Sequence, residues 1–450
     1  MEPENIRFGG GSSVTILHPL VALMMLVAIV LILTLPRKHV IVPFLLTFFC
    51  IPKGQVVILA GIHFEMARIL ILAGLARWKA MSSPAGIAGG FNALDRAVLG
   101  CAVSLLVVCS LSWMQLQALV MSVGGLLDTL GCYFFMRYLI RDREDVSTTM
   151  KVLAVAAIIN GACMIYEQRT GVNVFAFMGG VWPEAIRDGK LRSKGVFEVE
   201  VTAAAFGGTL PPLFIWLMSQ AKSRVIGFLG LLGTTAVAIT CRASTSLLAY
   251  GSGILALCLW PLRKKMRPIR WCIVATLVSL HLVMNGPVWS LIEKVDMTGS
   301  SSSFHRYMLV DNLIRHFWDW WLLGAHDYGS WGWEMWDTSN QYVAYGLTGG
   351  LLTLAFFITI ISRSFGRLGI ARKRIEGNLR EEWFIWCLGA TMLAHVVAYF
   401  GIAYFDQTQF AWLAFLAIIS MTTSTIFEAK RTQPQMILES QQIELAEVAL

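Results

Sequence analysis

The sequence predicts an all-α protein, a polytopic bundle of about 12 membrane-crossing helices. Three observations predict it. Hydrophobic residues make up 56% of the 450 and charged residues only 14%, a balance that excludes one water-soluble core. Apolar runs of bilayer-crossing length, about 20 residues each, recur from His18 to Phe427. No polar stretch of domain size separates them. Residues 1–427 therefore read as a single transmembrane domain, with outward loops at about 167–200 and 286–341, and 428–450 as a cytoplasmic polar tail.

Residues 1–14 are polar and glycine-rich and read as a flexible lead. The first span, 15–35, closes on Pro36-Arg37-Lys38-His39. It has no basic flank before it and no small-residue cleavage site after it, so it reads as retained. The run 40–77 is interrupted by Pro43, Pro52, Lys53, Gly54, His63, Glu65 and Arg68, which makes it one kinked span or two short ones. Glu65 and Arg68 stand three apart and are expected to pair on one helix face. Spans follow at 97–114, 116–140 (with Asp128 inside), 149–166, 201–218, 225–240, 246–262, 271–284, 342–361, 383–399 and 410–427.

Loops 141–148, 220–224, 263–270 and 362–382 carry Lys and Arg and fall on one side when the spans between them are counted. The positive-inside rule makes that side cytoplasmic. It also accounts for the net charge of +8 without nucleic acid. The loop 167–200, the turn 241–245 and the loop 286–341 then open on the opposite face. The nine cysteines lie in or beside apolar runs, never in metal-ligand spacing, so no metal site and no cofactor are expected. The tail 428–450 reads as a solvated helix or disorder, and no internal repeat is visible.

The polar inventory concentrates in 286–350, which holds His305, His316, His326, Arg306, Arg315 and seven tryptophans. Arg242 ends a span on the outward face, against the charge rule, and is followed by Ser244, Thr245 and Ser246 rather than by an acidic partner. It reads either as an arginine snorkelling to the interface or as a ligand for phosphate or diphosphate, whose oxygens a guanidinium grips in pairs. Arg306, Arg187, Lys190, Arg192 and Lys194 are candidates to converge on the same anion. Trp318, Trp320, Trp321, Trp331, Trp333 and Trp336 suit an interfacial belt or a platform for sugar rings. The glycines and carboxylates mixed among Trp331, Trp333 and Trp336 favour carbohydrate.

Four segments in order, TCRASTS (240–246), FHRYMLVDNLIRHF (304–317), LLGAHDYG (322–329) and TSNQYVAYGLTGGL (338–351), carry a resemblance. The chain resembles the O-antigen ligase and polymerase superfamily of bacterial integral membrane proteins, particularly its exopolysaccharide-type members. The resemblance implies an enzyme of the inner membrane, with its large loop in the periplasm. Such an enzyme moves glycan from a polyprenyl-diphosphate-linked oligosaccharide to a glycan or lipid-linked acceptor, beside other polysaccharide assembly proteins. Ligases of that family have a histidine directly before the Asn of the last motif, whereas this chain has Ser339 before Asn340. A polymerase-like or divergent transferase is therefore favoured over a strict ligase.

The chemistry needs positive charge at the departing diphosphate and a site that aligns the acceptor hydroxyl. Arg242 and Arg306 are candidates for the first role. Asn340, Gln341, Tyr342, Trp333 and Trp336 are candidates to hold substrate. His305 and His326 are the candidate bases, and positioning without a base is the alternative. A transporter or flippase would instead use intramembrane ionisable groups, for which Glu65, Arg68, Asp128, His281 and His395 are available. A membrane scaffold for polysaccharide assembly is the non-catalytic reading.

Overall fold

The computed structural model describes residues 15–59, 61–81, 86–179, 186–187, 189–294 and 302–448, with Arg187, Ser302 and 430–448 as backbone alone. The expected lead 1–14 lies outside the described residues. Helix dominates, and strands among the described residues are confined to two short hairpins. Among the described residues, eight helices are long and apolar enough to cross a membrane. The chain is a multi-pass α-helical membrane protein.

In chain order, α1 is Pro19–Thr34 and α2 is Arg37–Phe48. The hairpin β1 (Val56–Leu59) and β2 (Ile62–Glu65) leads into α3, Met66–Ala80. The run 40–77 is thus two short helices joined by a hairpin. Next come α4 (Ala93–Trp113), α5 (Leu116–Leu139) and α6 (Arg143–Thr170). The hairpin β3 (Ile186–Arg187) and β4 (Lys190–Leu191) precedes α7 (Glu200–Ser219), α8 (Arg224–Thr240), α9 (Ser244–Cys258) and α10 (Met266–Val283). A partly helical segment with α11 (Ser302–Arg315) connects to α12 (Gln341–Arg374), α13 (Leu379–Ala398) and α14 (Asp406–Val448).

Small residues let backbones meet where the apolar drive between helices is weak, as it is in lipid. A Cβ on Gly161 of α6 would stand 2.7 Å from the Gly233 carbonyl oxygen of α8, and one on Gly233 would stand 2.6 Å from that of Ala157. The last span is the axle of the bundle, since every residue from Phe410 to Ser424 is buried. A helix apolar on all sides is one enclosed on all sides. In α10, by contrast, no residue is buried. That helix stands apart from the bundle.

Two intramembrane charge clusters are closed on themselves. Asp95 and Arg137 are both fully buried and pair at 3.1 Å. Asp95 also accepts from Tyr133 (2.6 Å), Ser420 (3.0 Å) and the Asn92 N–H (2.8 Å). Arg68 forks onto Asp128 at 3.1 and 2.6 Å. The expected Glu65–Arg68 pair is therefore not what the fold uses. Glu65 ends a strand, so helical spacing does not apply to it, while the π-turn Leu127–Gly131 carries Asp128 opposite Arg68.

The two ends of the bundle differ in charge. One end gathers Arg37–Asp145, Arg143–Glu381, Arg263–Glu382 and Lys264–Glu376. The other gathers the hairpins, the turn after α8 and the cap made by residues around α11. The cap has its own small core of Leu309, Leu313, Trp320 and Met335 closed against Val343 and Leu347 of α12. Leu309 and Leu313 stand four apart on α11 and face this core, and after the helix stops at Arg315 a short helical turn, Phe317–Trp320, follows.

Two glycines fasten the cap to α12. Gly350 interrupts α12 with φ 65°, and the Leu351 N–H turns out of the helix to the Trp321 carbonyl at 2.8 Å. Gly324 has φ 74°, and a Cβ there would stand 2.1 Å from the Leu347 carbonyl oxygen. Both positions need left-handed backbone and closest approach at once, which only glycine supplies without strain. The LLGAHDYG and TSNQYVAYGLTGGL segments meet at this contact.

Candidate functional site

The turn between α8 and α9 is the centre of the cap end. Arg242 sits there with φ 47°, left-handed backbone that a residue other than glycine rarely adopts. Holding it costs about 1–3 kcal/mol, the kind of strain found at binding sites. Its neighbours Cys241 and Ala243 are buried and Arg242 itself is exposed. Its guanidinium makes no ion pair among the described residues.

Directly after it α9 begins, with Ala243 at the N-cap and no side chain capping the first-turn amides. Uncapped N–H groups and the helix dipole make such an end an anion site. Ser244, Thr245 and Ser246 fill the first turn, all buried, and Ser246 Oγ has no hydrogen-bond partner among the described residues. Arg306 comes from α11 in the cap and donates to Thr245 Oγ1 at 3.0 Å. Arg306 thus reaches the N-terminus of α9 from a distant part of the chain, beside the turn that carries Arg242.

The loop before α7 is stitched to the same turn. The Ser193 N–H donates to the Thr240 carbonyl at 3.1 Å, and Arg192 Nε donates to the Cys241 carbonyl at 3.3 Å. Arg192 is also ion-paired with Glu200 at 2.5 Å, so its charge supports the turn and is already matched. Lys194 is buried, and its backbone N–H donates to Glu167. Lys190 is exposed and pairs across the hairpin with Arg187, whose side chain lies outside the described residues.

The other sequence candidates are spread more widely. His305 is buried, with Nε2 3.0 Å from the Glu334 carbonyl oxygen and Trp333 edge-on at 6.3 Å. His326 is exposed and lies 2.6 Å from Ser112 Oγ and edge-on to Trp113, at the end of α4. Trp333 and Trp336 are largely exposed, whereas Trp320 is buried and donates to the Leu313 carbonyl at 2.7 Å. The tryptophans thus divide between the cap's core and its surface.

Asn340 is the N-cap of α12, its Oδ1 accepting from the Tyr342 and Val343 N–H groups at 2.9 and 3.2 Å. Its Nδ2 is buried with no partner among the described residues. Gln341 holds the 399–405 loop, its N–H donating to the Tyr399 carbonyl and its Oε1 accepting from the Tyr404 N–H. Tyr342 donates to the Val396 carbonyl at 3.2 Å. These three side chains build the mouth of α12, and the buried Asn340 amide nitrogen has donor capacity left over. No protein-family model matches this chain, and no curated protein matches it, so a functional reading rests on these side chains alone.

Proposed function

We propose that the protein is a glycan polymerase or ligase that takes a polyprenyl-diphosphate-linked oligosaccharide at the outer face of a bacterial inner membrane and transfers its glycan to an acceptor hydroxyl. The observation that carries the reading is the turn at Arg242. Arg306 donates to Thr245, three residues on, at the uncapped start of α9. A diphosphate needs such a cluster, and a membrane enzyme with a lipid-linked donor needs it at a bundle end. In this reading the ion-paired, Lys/Arg-rich end faces the cytoplasm. The cap then lies in the periplasm. The eight long spans, α1, α9, α13 and the out-and-back pair α2 and α3 bring the crossings to about 13, one more than expected.

The transporter reading finds less support. Arg68–Asp128 and Asp95–Arg137 are matched pairs with further hydrogen bonds, not open groups along a path. His395 is buried against Tyr404, Trp412 and Phe415. The test is deletion of the gene followed by complementation. Lipid-linked glycan accumulates and long polymer is lost on deletion, and Arg242→Ala or Arg306→Ala fails to restore polymer at normal protein abundance. Each substitution removes about 2–4 kcal/mol of transition-state stabilisation, a loss of roughly 30-fold to 10³-fold in rate. Normal polymer from Arg242→Ala at normal abundance sinks the reading.

A further inference from the structure

A second set of charges stands at the cap end. Lys53, in the loop after α2, reaches two carboxylates: its Nζ lies 2.6 Å from Asp406 Oδ1 and 2.9 Å from Glu198 Oε2. The Asp406 side chain is 4% exposed and that of Glu198 22%. Asp406 Oδ2 meets no hydrogen-bond donor among the described residues, and neither does the buried Gln407 Oε1 next to it in sequence. Lys53 thus bridges the two carboxyls, and Asp406 Oδ2 keeps an acceptor position open.

Lys53, Gln55, Glu65, Asp406 and Gln407 line a cavity of about 50 Å³, room for a water-sized group. Gln55 is already spent on the His18 N–H and the Met178 carbonyl. The unmatched atoms are therefore acceptors, and the group they fit is a donor, a hydroxyl or a water.

The chain ties this cluster to the arginine turn from two directions. Glu198 is two residues from Glu200, which pairs with Arg192 on the Cys241 carbonyl. Asp406 is five residues from Gly401, whose carbonyl accepts from Thr245, the residue that also accepts from Arg306. An anion site and a proton acceptor thus share one scaffold.

We propose that the Glu198–Asp406 pair, held by Lys53, is the proton acceptor of glycan transfer. The proposal rests on the glycan-transfer reading. In the step, the acceptor O–H bond breaks and its proton passes to the carboxyl pair, directly or through one water in the cavity. The acceptor oxygen bonds to the anomeric carbon. The bond from that carbon to the diphosphate oxygen breaks, and its electron pair leaves with the polyprenyl diphosphate, whose charge Arg242 and Arg306 offset. The proton then passes to bulk water.

The charged groups facing the pair are Lys53, Glu65 on β2 and Lys194 in the loop before α7. Burial works to raise the Glu198 carboxyl, but the bond to Asp406 and the charge of Lys53 outweigh it and hold Glu198 below its ordinary value. The acceptor position left open on the pair is Asp406 Oδ2, and Asp406 lines the cavity. It supplies a base in a chain where Ser339 replaces the family's histidine.

The test compares E198Q, D406N and R242A in the full-length protein with two readouts. One is binding of undecaprenyl diphosphate to detergent-purified protein. The other is the pH profile of polymer formation in membranes that carry the native lipid-linked glycan. E198Q and D406N are expected to bind undecaprenyl diphosphate within about 2-fold of wild type, to lose about 100-fold in polymer formation and to lose its acid limb. Added formate should restore part of the activity of E198A, and R242A should lose binding. If D406N does not accumulate, E198Q and the formate rescue of E198A decide the matter, and absence of rescue overturns the proposal. Polymer formation within about 3-fold of wild type in E198Q, with R242A inactive, overturns the proposal and leaves the glycan-transfer reading standing. Activity in R242A as well overturns both.

Discussion

Arg242 and Arg137 show how differently one side chain is used in two settings. Arg242 is exposed on strained backbone with no ion pair among the described residues, while Arg137 is fully buried against Asp95. A buried ion pair adds little net stability over apolar residues of the same shape, but breaking it leaves a naked charge. Arg137→Met should therefore cost about 3–5 kcal/mol of stability, and Asp95→Asn combined with Arg137→Met should recover most of that loss. Thermal melting of the detergent-solubilised variants checks it. A double variant no more stable than Arg137→Met alone would mean that Tyr133, Ser420 and Asn92, the other donors to Asp95, carry the effect.

At the scale of elements, α12 and the cap are one device. The break at Gly350 sends an N–H sideways to the Trp321 carbonyl, and Gly324 brings the cap backbone against Leu347. The cap carries Arg306, so this junction sets where that guanidinium stands relative to α9. Gly324→Ala and Gly350→Ala each force a Cβ into carbonyl oxygens on left-handed backbone, at about 1–3 kcal/mol. The expected outcome is loss of polymer with the protein still inserted in the membrane, since the spans themselves are untouched. Limited proteolysis should cut the cap of both variants faster than wild type, and equal cutting rates would sever the link between the junction and cap position.

Across the whole molecule, charge is sorted by end. Arg37, Arg143, Arg263 and Lys264 pair at the basic end, while the cap end holds the turn at Arg242 and the Lys53 cluster. The orientation proposed above puts the basic end in the cytoplasm through the positive-inside rule. In a cysteine-free background, a cysteine at Trp336 should react with a membrane-impermeant maleimide in intact cells, and a cysteine at Lys264 only after permeabilisation. The reverse pattern would turn the protein over and put the arginine turn on the cytoplasmic side. Helix α10, with no residue buried, should tolerate apolar-for-apolar exchange along its length.

The helical class and most span boundaries were legible because a bilayer demands apolar segments of fixed length, a demand written directly in hydropathy. The turn at Arg242 between two helices was legible too, because a charge that closes an apolar run stands out in the sequence. Partners were not legible, since they come from other helices. Arg68 takes Asp128 on α5 rather than Glu65, and Arg192 takes Glu200. Asn340, a candidate substrate ligand from the sequence, also caps α12 with its side-chain oxygen, a role that any Asn placed before a helix can take. The Lys53, Glu198 and Asp406 cluster left no sequence signal beyond isolated charges at three loop ends. Spacing along the chain determines which residues share a helix face, whereas which faces and loop ends meet is decided by close packing of backbones at small residues such as Gly161 and Gly233, which only the assembled bundle reveals.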